Sequence, residues 1–231
     1  MRAHAVSPPA DRFIHPFIHL SAMLARRTLF FATLTLAATL GLCGAARAQE
    51  TPDALVMRIS TDVIDAVKAD KAIQSGDVAR IVALVDAKVM PSVNFKRMTA
   101  SAVGRHWRQA TPEQQQRLQD EFKLLLVRSY AGALTKVKDQ TVHLKPMRSK
   151  PEDDDAVVRT EVRGGSSEPI QLDYRLEKST GQWKIYDVNV LGVWLVENYR
   201  NTFAQEINAG GIDGLISKLA ALNSKAAPAK G

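Results

Sequence analysis

The stretch from Ile170 to Ile207 changes its hydrophobic period twice, which limits the folds open to this chain. Apolar residues first stand at every second position, the pattern of a half-buried strand. The turn residues 178–182 then lead into a second strand from Trp183 to Val190. From Leu195 onward apolar residues stand four apart, which predicts an amphipathic helix. A hairpin therefore leads directly into a helix that needs a sheet or other helices to cover it.

The second strand of this hairpin has an uneven pattern. Simple alternation puts three residues on one face: Tyr186, Val188 and Val190. The opposite face is apolar at Ile185 and becomes polar at Asp187. The strand is therefore predicted to be covered on both faces where it starts and on one face where it ends.

The rest of the chain supplies more helices and two more strands. Helices are predicted over about 52–70, 77–89 and 95–107, and another follows the capping box formed by Thr111 and Gln114. The predicted buried side of that long helix comprises Leu118, Phe122, Leu125, Leu126, Ser129, Tyr130 and Ala133. Strands are predicted at 141–144 and 156–162, and a short last helix follows the glycines at 210–211. The predicted fold class is α+β, with one mostly antiparallel four-stranded sheet and about six helices.

The N-terminal region has the features of a cleavable export signal. Met23 is followed by Arg26 and Arg27, an apolar run over 29–42, and small residues at 46 and 48. We therefore expect residues 1–48 to comprise an over-extended start and a signal peptide, with the true start at Met23. A single domain is expected over 49–223, and a disordered tail over 224–231.

Removal of residues 1–48 changes the charge and the cysteine content. The segment carries five arginines and one aspartate, so the net charge falls from +7 to +3, and the chain's one cysteine, Cys43, is lost. The lower charge argues against a nucleic-acid partner. A cysteine-free domain of this size fits an oxidising compartment such as the periplasm.

The chemistry-bearing residues do not form a recognisable catalytic or metal-binding set. His106 and His143 stand on different predicted elements, without further ligands at metal-binding spacing. Asp187 is a lone carboxylate late in a strand, and a hydrogen-bonded structural role is the favoured interpretation. We therefore expect no enzyme activity, no metal and no cofactor. The helices and the sheet can form either an ordinary core or an apolar space between them.

Two longer stretches resemble a known family. The first runs from Phe95 through Gly104–Gln114 to Leu125–Tyr130, and the second is Gly181–Arg200 together with Gly211–Leu215. Both are similar to the MlaC family, the periplasmic phospholipid carriers also called toluene-tolerance proteins. The resemblance covers nearly all of residues 52–222. One departure lies at Leu191–Trp194, where the family usually has Glu-Gly-Val-Ser, so that Trp194 replaces a small polar residue near the family's pocket.

The resemblance implies a curved sheet and helices around an apolar cavity that holds phospholipid acyl chains as cargo. On this interpretation the cavity is lined by Val103, Leu125, Leu126, Tyr174, Tyr186, Val188, Val190, Val193, Leu195, Tyr199 and Phe203. The implied partners are an inner-membrane ABC transporter complex with an MCE-domain ring and an outer-membrane lipoprotein–porin complex, and the implied role is to maintain outer-membrane lipid asymmetry. A monomer is expected. The alternatives are a periplasmic interaction module with a solid core and, third, an enzyme with a polar pocket around Asp187.

Overall fold

A computed structural model describes residues 50–147, 153–164 and 168–225 of the chain. These residues belong to one compact unit, Gln49–Gly231. The expected start and signal peptide at 1–48 lie outside the described residues, as does most of the expected tail, from residue 226 onward. Within the described ranges, no helix has the length and apolar character needed to cross a membrane.

The described structure begins with three helices. α1 spans Pro52–Ala69, and the Thr51 side chain accepts a hydrogen bond from the Ala54 amide at its start. A short α2, Lys71–Gln74, was not predicted. α3 spans Val78–Leu84 and continues as a π-helical segment over Val85–Val89. The predicted helix at 77–89 is therefore present, with a wider turn in its second half.

The two following helices carry the apolar stripes predicted for them. α4 spans Phe95–Val103 and ends at Gly104, whose φ of 67° is readily adopted only by glycine. Residues Gly104–Gln109 form a 3₁₀ helix, so the predicted helix to 107 changes type at Gly104. α5 spans Pro112–Leu134, and Thr111 and Gln114 form both hydrogen bonds of the predicted capping box.

The sheet has five antiparallel strands in the order β1-β2-β3-β4-β5. The strands are β1 Thr141–Leu144, β2 Asp155–Arg163, β3 Ile170–Ser179, β4 Gln182–Val190 and β5 Val193–Trp194. The prediction of four strands missed β5, a two-residue strand that pairs with the end of β4. The α+β class and the antiparallel sheet are confirmed.

The last helix, α6, spans Leu195–Ser224 and is broken at Gly211, where φ is 69° and ψ is −171°. The break divides α6 into the two helices that were predicted, because only glycine readily adopts this backbone conformation. The second part runs through Ser224, so the first residue of the expected tail is helical.

The interior consists of three apolar clusters rather than one. The first lies among α4, α5 and α6 and contains Phe95, Met98, Phe122, Phe203 and Leu219. The second joins α1 to the sheet through Leu55, Ile59, Val158, Leu176 and Ile185. The third joins α1, α3 and α5 through Val67, Ile81, Leu84, Val127 and Ala131. Half-buried valines connect them: Val188 packs against the first two, and Val63 packs against the second and third.

Candidate functional site

One face of the sheet, here called the inner face, carries four rows of side chains across the strands. Residues directly opposite each other in antiparallel strands point to the same face, so the register defines the rows. From first to fourth, they are Ala156–Leu176–Ile185; Val158–Tyr174–Val188; Leu144–Thr160–Leu172–Val190–Val193; and Val142–Val162–Ile170. No charged residue occurs in these rows.

Exposure is lowest in the first row, and the exposed residues of the inner face all lie in the third and fourth rows. The three residues of the first row are at most 4% exposed. In the second row Tyr174 and Val188 are half-buried, and in the third Leu172 and Val190 are half-buried. Leu144, Val193 and Ile170, at the far rows, are 42%, 50% and 39% exposed. Thr160, in the third row, is fully buried. The inner face is therefore mostly apolar, completely covered in the first row and only partly covered in the third and fourth.

The long helix α5 shows the same gradient along its apolar stripe. Leu118 and Phe122 are fully buried, and Leu125 and Leu126 are half-buried. Ser129, Tyr130 and Ala133, all predicted to be buried, are instead exposed. The stripe is continuous in sequence, but the structure covers only its first half.

The buried ends of the two gradients meet. The Phe95 ring lies 5.7 Å from the Phe122 ring of α5, measured between centroids. Asn94, the neighbour of Phe95, donates its backbone N–H to the Ile185 carbonyl in the first row, at 2.8 Å. Asn94 and Phe95 therefore connect α5 to the first row of the sheet.

The exposed ends also lie on the same side of the domain. Only residues 135–140 separate the end of α5 at Leu134 from the start of β1, which enters the sheet beside the fourth row. The Lys68 ammonium of α1 donates to the Gln140 carbonyl in this connection, at 3.5 Å. The apolar residues of the inner face and of α5 that are buried near Phe122 and uncovered toward the fourth row are called the apolar wedge below. α1 packs against both layers, through the second and third clusters.

Aromatic rings close the narrow end of the wedge. The centroid of Phe122 lies 5.0 Å from that of Tyr199 and 5.1 Å from that of Phe203, both in edge-to-face geometry. Val103 and Phe203 are buried in the same cluster. These residues form the buried end of the wedge.

The polar atoms within the wedge belong to neutral side chains. Tyr174 in the second row forms hydrogen bonds with the side chains of Ser60 and Thr160, and burial raises the pKa of Tyr174. Burial also raises the pKa of Tyr130 on α5, with a smaller contribution from nearby Tyr199. The two phenols therefore remain neutral at physiological pH.

A bulge in β4 corrects the predicted alternation. Arg175 of β3 is opposite Asp187, but the next residue, Leu176, is opposite Ile185, so Tyr186 has no partner in the register. Ile185 and Val188 consequently lie on the same inner face. The Tyr186 ring instead lies under the Arg97 guanidinium, 3.6 Å from ring centroid to Cζ. The alternation had predicted that Tyr186 shares a face with Val188 and Val190. This prediction is wrong, because the bulge turns Tyr186 away from the inner face.

The remaining predicted lining residues fall into three groups. Leu125, Leu126, Tyr174, Val188, Val190 and Tyr199 are half-buried residues along the wedge; Val103, Leu195 and Phe203 are buried; Val193 is exposed at the wide end. The wedge also includes residues that the lining list omitted, among them Val142, Leu144, Val162, Ile170 and Leu172. The alternation of apolar residues in the strands, visible in the sequence, could have identified these residues.

The opposite, outer face of the sheet is charged. Arg175 pairs with Asp187 at 3.1 Å, and Arg159 pairs with Asp173 at 3.9 Å. Trp194 is opposite Asn189 in the register and stacks on Arg175, with Cζ 3.8 Å from the ring centroid. Trp194 therefore lies on the outer face, away from the wedge, although the sequence placed it near the family's pocket.

An open hollow of about 330 Å³ lies at the start of α6. Its lining residues are Gly192, Val193, Trp194, Glu197, Asn198 and Asn201. The glutamate and the two asparagines give it a polar lining, unlike that of the wedge. This hollow does not correspond to the expected apolar cavity.

Asp187 is the most deeply buried carboxylate of the outer face, at 1% exposure. One of its oxygens, Oδ1, accepts the backbone N–H groups of Val188 and Val196, at 2.9 and 3.1 Å, and Oδ2 accepts from Arg175. Burial raises the pKa of Asp187, opposed by these hydrogen bonds and by the arginine. Because Asp187 caps the start of α6, its contacts are those of the structural role favoured from the sequence. Among the residues with described positions, no cluster of three or more metal-binding side chains occurs.

Comparison with known proteins assigns the family. The model of the MlaC protein family matches residues 57–221. The chain belongs to the MlaC family. Among its relatives is the toluene tolerance protein ttg2D of Pseudomonas putida, 28% identical over 169 residues, which cover 72% of this chain and 77% of the relative. Another is the intermembrane phospholipid transport system binding protein MlaC of Haemophilus influenzae, 24% identical over 175 residues, which cover 74% and 82% of the two chains.

A solved structure gives an MlaC-like fold with its ligand. The phospholipid-binding protein from Ralstonia solanacearum, in complex with a phospholipid, is 47% identical to this chain. The TM-score is 0.72, and the superposition covers 77% of this chain and 98% of the other. The resemblance stated from the sequence motifs is therefore confirmed at the level of family and fold.

Proposed function

We propose that this MlaC-family chain is a periplasmic phospholipid carrier that holds acyl chains in the apolar wedge between α5 and the inner face of the sheet. The observation that carries the proposal is the paired exposure gradient, buried at Phe122 and the first row and open beyond the fourth. The phospholipid bound to the Ralstonia relative supports a ligand of the same class here.

The length of the inner face suits an acyl chain. Rows one to four are six residues apart along β2, from Ala156 to Val162. At about 3.4 Å per residue this distance is about 20 Å. One leaflet of a bilayer has a hydrocarbon depth of about 15 Å, half of the 30 Å core. The inner face is therefore long enough for acyl chains lying along the strands, with the headgroup at the wide end.

The energetics explain why the surface is apolar but not fully covered. Each methylene removed from water contributes about 0.8 kcal/mol, so two chains of about 16 carbons cannot cross the periplasm unprotected. The same surface must also release the lipid. A lipid that leaves a bilayer loses a similar free energy of burial. If the wedge shelters acyl chains about as well as the bilayer does, the free energy of exchange between the two is close to zero.

An interaction module with a solid core accounts less well for the half-buried residues. Such a core would bury Leu125, Leu126 and Tyr174 completely, because apolar residues at the interior of a packed domain lose nearly all their exposure. All three remain half-buried. No catalytic role is proposed, since Asp187 is engaged by the protein itself.

The export signal and the family together support a place in lipid traffic between membranes. We propose a monomeric carrier that serves an inner-membrane ABC transporter complex with an MCE-domain ring and an outer-membrane lipoprotein–porin complex. A near-neutral exchange supplies no direction of its own. Direction must come from differences in affinity among the partners or from nucleotide hydrolysis elsewhere.

Native mass spectrometry of protein purified from the periplasm tests the proposal. We expect wild-type protein to carry phospholipid, and Leu172→Glu, which places a charge on the inner face, to reduce the bound fraction at least about tenfold. Gln171→Glu is the matched control, since it adds the same charge one residue away on the outer face and should retain lipid.

Thermal unfolding of each variant shows whether it is folded. If Leu172→Glu does not fold, Leu172→Trp takes its place, because it fills the wedge without adding charge. Absence of lipid from wild-type protein, or equal loss of lipid from the two glutamate variants, would contradict the proposed function.

A further inference from the structure

The positive charge of the domain is concentrated in one segment, residues 87–112, which includes α4 and the 3₁₀ helix after it. This segment contains five lysines and arginines and no aspartate or glutamate, so its net charge is +5. Residues 49–231 together carry +3, so the rest of that region carries −2. A charge distribution of this kind steers association with a partner of opposite sign.

The exposed side of α4 carries only cations and small side chains. The buried residues of this helix are Phe95, Met98, Thr99, Ala102 and Val103. The remaining residues, on the opposite side by helical period, are Lys96, Arg97, Ala100 and Ser101. Arg97 pairs with Glu177 of β3, whereas Lys96 is exposed to solvent.

Three arginines extend this positive surface beyond the end of α4. Arg105 and Arg108 are three residues apart in the 3₁₀ helix, so they point to the same side. Both are exposed, whereas Trp107 packs against the first cluster. The exposed Arg200 of α6 donates from Nε to the Ser101 carbonyl at 3.1 Å, which places it at the end of α4. We call four residues the basic face: Lys96, Arg105, Arg108 and Arg200.

The domain itself does not neutralise the basic face. Among the described residues, none of its four cations forms an ion pair with a carboxylate. Most of the other described arginines do, for example Arg58 with Glu50. Because the guanidinium group matches the geometry of a carboxylate, unpaired arginines are suited to acidic groups of another molecule.

We propose that the basic face docks on an acidic protein surface of the membrane complexes that exchange lipid with this carrier. The inference rests on the proposed function, because those complexes are the partners proposed above. Opposite charges speed the encounter and fix the orientation in which the carrier binds. Contacts between exposed charges are individually weak, so the carrier can leave again after each exchange.

The composition of the basic face favours a protein surface over an anionic bilayer. None of the exposed large apolar side chains of the described structure lies within residues 94–110 or 195–210. Stable membrane binding takes an apolar anchor in addition to basic residues. The basic face offers charge without such an anchor, which fits a partner that presents carboxylates.

The binding of lipid-loaded protein to the two purified membrane complexes tests the basic face. A double variant, Arg105→Glu with Arg108→Glu, reverses two of its charges, and we expect it to bind at least one complex about tenfold more weakly. The association rate of wild type should fall as the salt concentration rises, and that of the variant should depend less on salt. Lipid content and thermal unfolding should stay as in wild type, because both arginines are exposed. If the double variant does not fold, Arg105→Gln with Arg108→Gln takes its place.

A second double variant, Lys71→Glu with Arg117→Glu, is the matched control. It makes the same change of net charge at two exposed cations that, among the described residues, form no ion pair with a carboxylate. Gln115 of α5 donates to the Trp107 carbonyl at 3.1 Å, and Arg117 lies about 200° further round α5, away from the 3₁₀ helix. The control should bind both complexes as wild type does.

Four outcomes would overturn the proposal. The first is wild-type binding by the Arg105→Glu/Arg108→Glu variant, and the second is equal loss of binding in the two double variants, which would show a dependence on net charge alone. The third is lipid-loaded wild type that binds neither complex. The fourth is loss of binding to phosphatidylglycerol vesicles with unchanged binding to both complexes, which would assign the basic face to anionic lipid. Wild-type protein that carries no lipid would instead contradict the proposed function.

Discussion

Asp187 connects the sheet to α6 through a single side chain. Its Oδ1 atom accepts two backbone N–H groups, and its Oδ2 atom accepts from Arg175. We expect Asp187→Ala to lower the free energy of unfolding by about 3–5 kcal/mol, because it leaves two buried donors and a partly buried arginine without their acceptor. Asp187→Asn keeps an oxygen for the backbone donors and should cost about 1 kcal/mol or less at pH 7. Urea denaturation of both variants measures the difference.

The ionisation of Asp187 should make the stability of the protein depend on pH. Burial raises the pKa of Asp187 above that of the unfolded chain, so the native state favours the protonated form. The stability that this group contributes is fully present below the unfolded pKa, near 3.9, and is lost as pH rises through the raised native pKa. Wild type should therefore lose stability relative to Asp187→Asn as the pH rises above about 4. An advantage of wild type that grows over this range would contradict the raised pKa.

At the scale of elements, the break in α6 depends on one glycine. Gly211 has φ 69° and ψ −171°, a region that side-chain-bearing residues avoid, whereas Gly210 has no positive φ. A Cβ at either glycine would meet no atom within 4 Å. Gly211→Ala should therefore destabilise the protein by about 1–3 kcal/mol through backbone strain alone. Gly210→Ala, its neighbour, should stabilise it by up to about 1 kcal/mol. Thermal unfolding compares the two, and similar effects of both would show that the break is not confined to Gly211.

The elements with strong local signals were the ones predicted from the sequence. The capping box at Thr111, the glycine of the 180–181 turn and the break at Gly211 all act through their own backbone, so a single sequence reveals them. β5 and α2 are two and four residues long, too short for a hydrophobic period to appear. The bulge at Tyr186 also leaves no pattern in the sequence, because only the register with β3 determines which residue of β4 loses its partner.

The candidate site could be predicted only in part, because it depends on how two layers diverge. Alternation correctly identified Val188 and Tyr174 as inner-face residues, and helical period identified Leu125 and Leu126. The same periods gave no indication that Ala133, at the end of its stripe, and Ile170, at the start of its own, would be uncovered. A stripe indicates which side of an element is apolar, whereas the distance between α5 and the sheet determines which part of that side is buried.

For the whole molecule, the wedge implies that stability is divided between a closed half and an open half. The narrow end is held by the rings around Phe122 and by the first row, where Leu176 has no exposed surface. The wide end has half-covered apolar surface on α5 and on rows three and four. Local stability follows such differences in burial, so the wide end should open more readily in the absence of ligand.

Removal of bound lipid should expose this division. A ligand present at about 100 times its dissociation constant stabilises the native state by about 2.7 kcal/mol, so delipidated protein should unfold about 5–10 °C lower. Amide hydrogen exchange should accelerate in the 125–134 part of α5 and at the β2 and β3 residues of rows three and four, and change little around Leu118–Phe122 and Leu176. Lipid added back should reverse both effects. Uniform acceleration across both halves would mean that the ligand stabilises the domain globally, and that the wide end is not an independently opening unit.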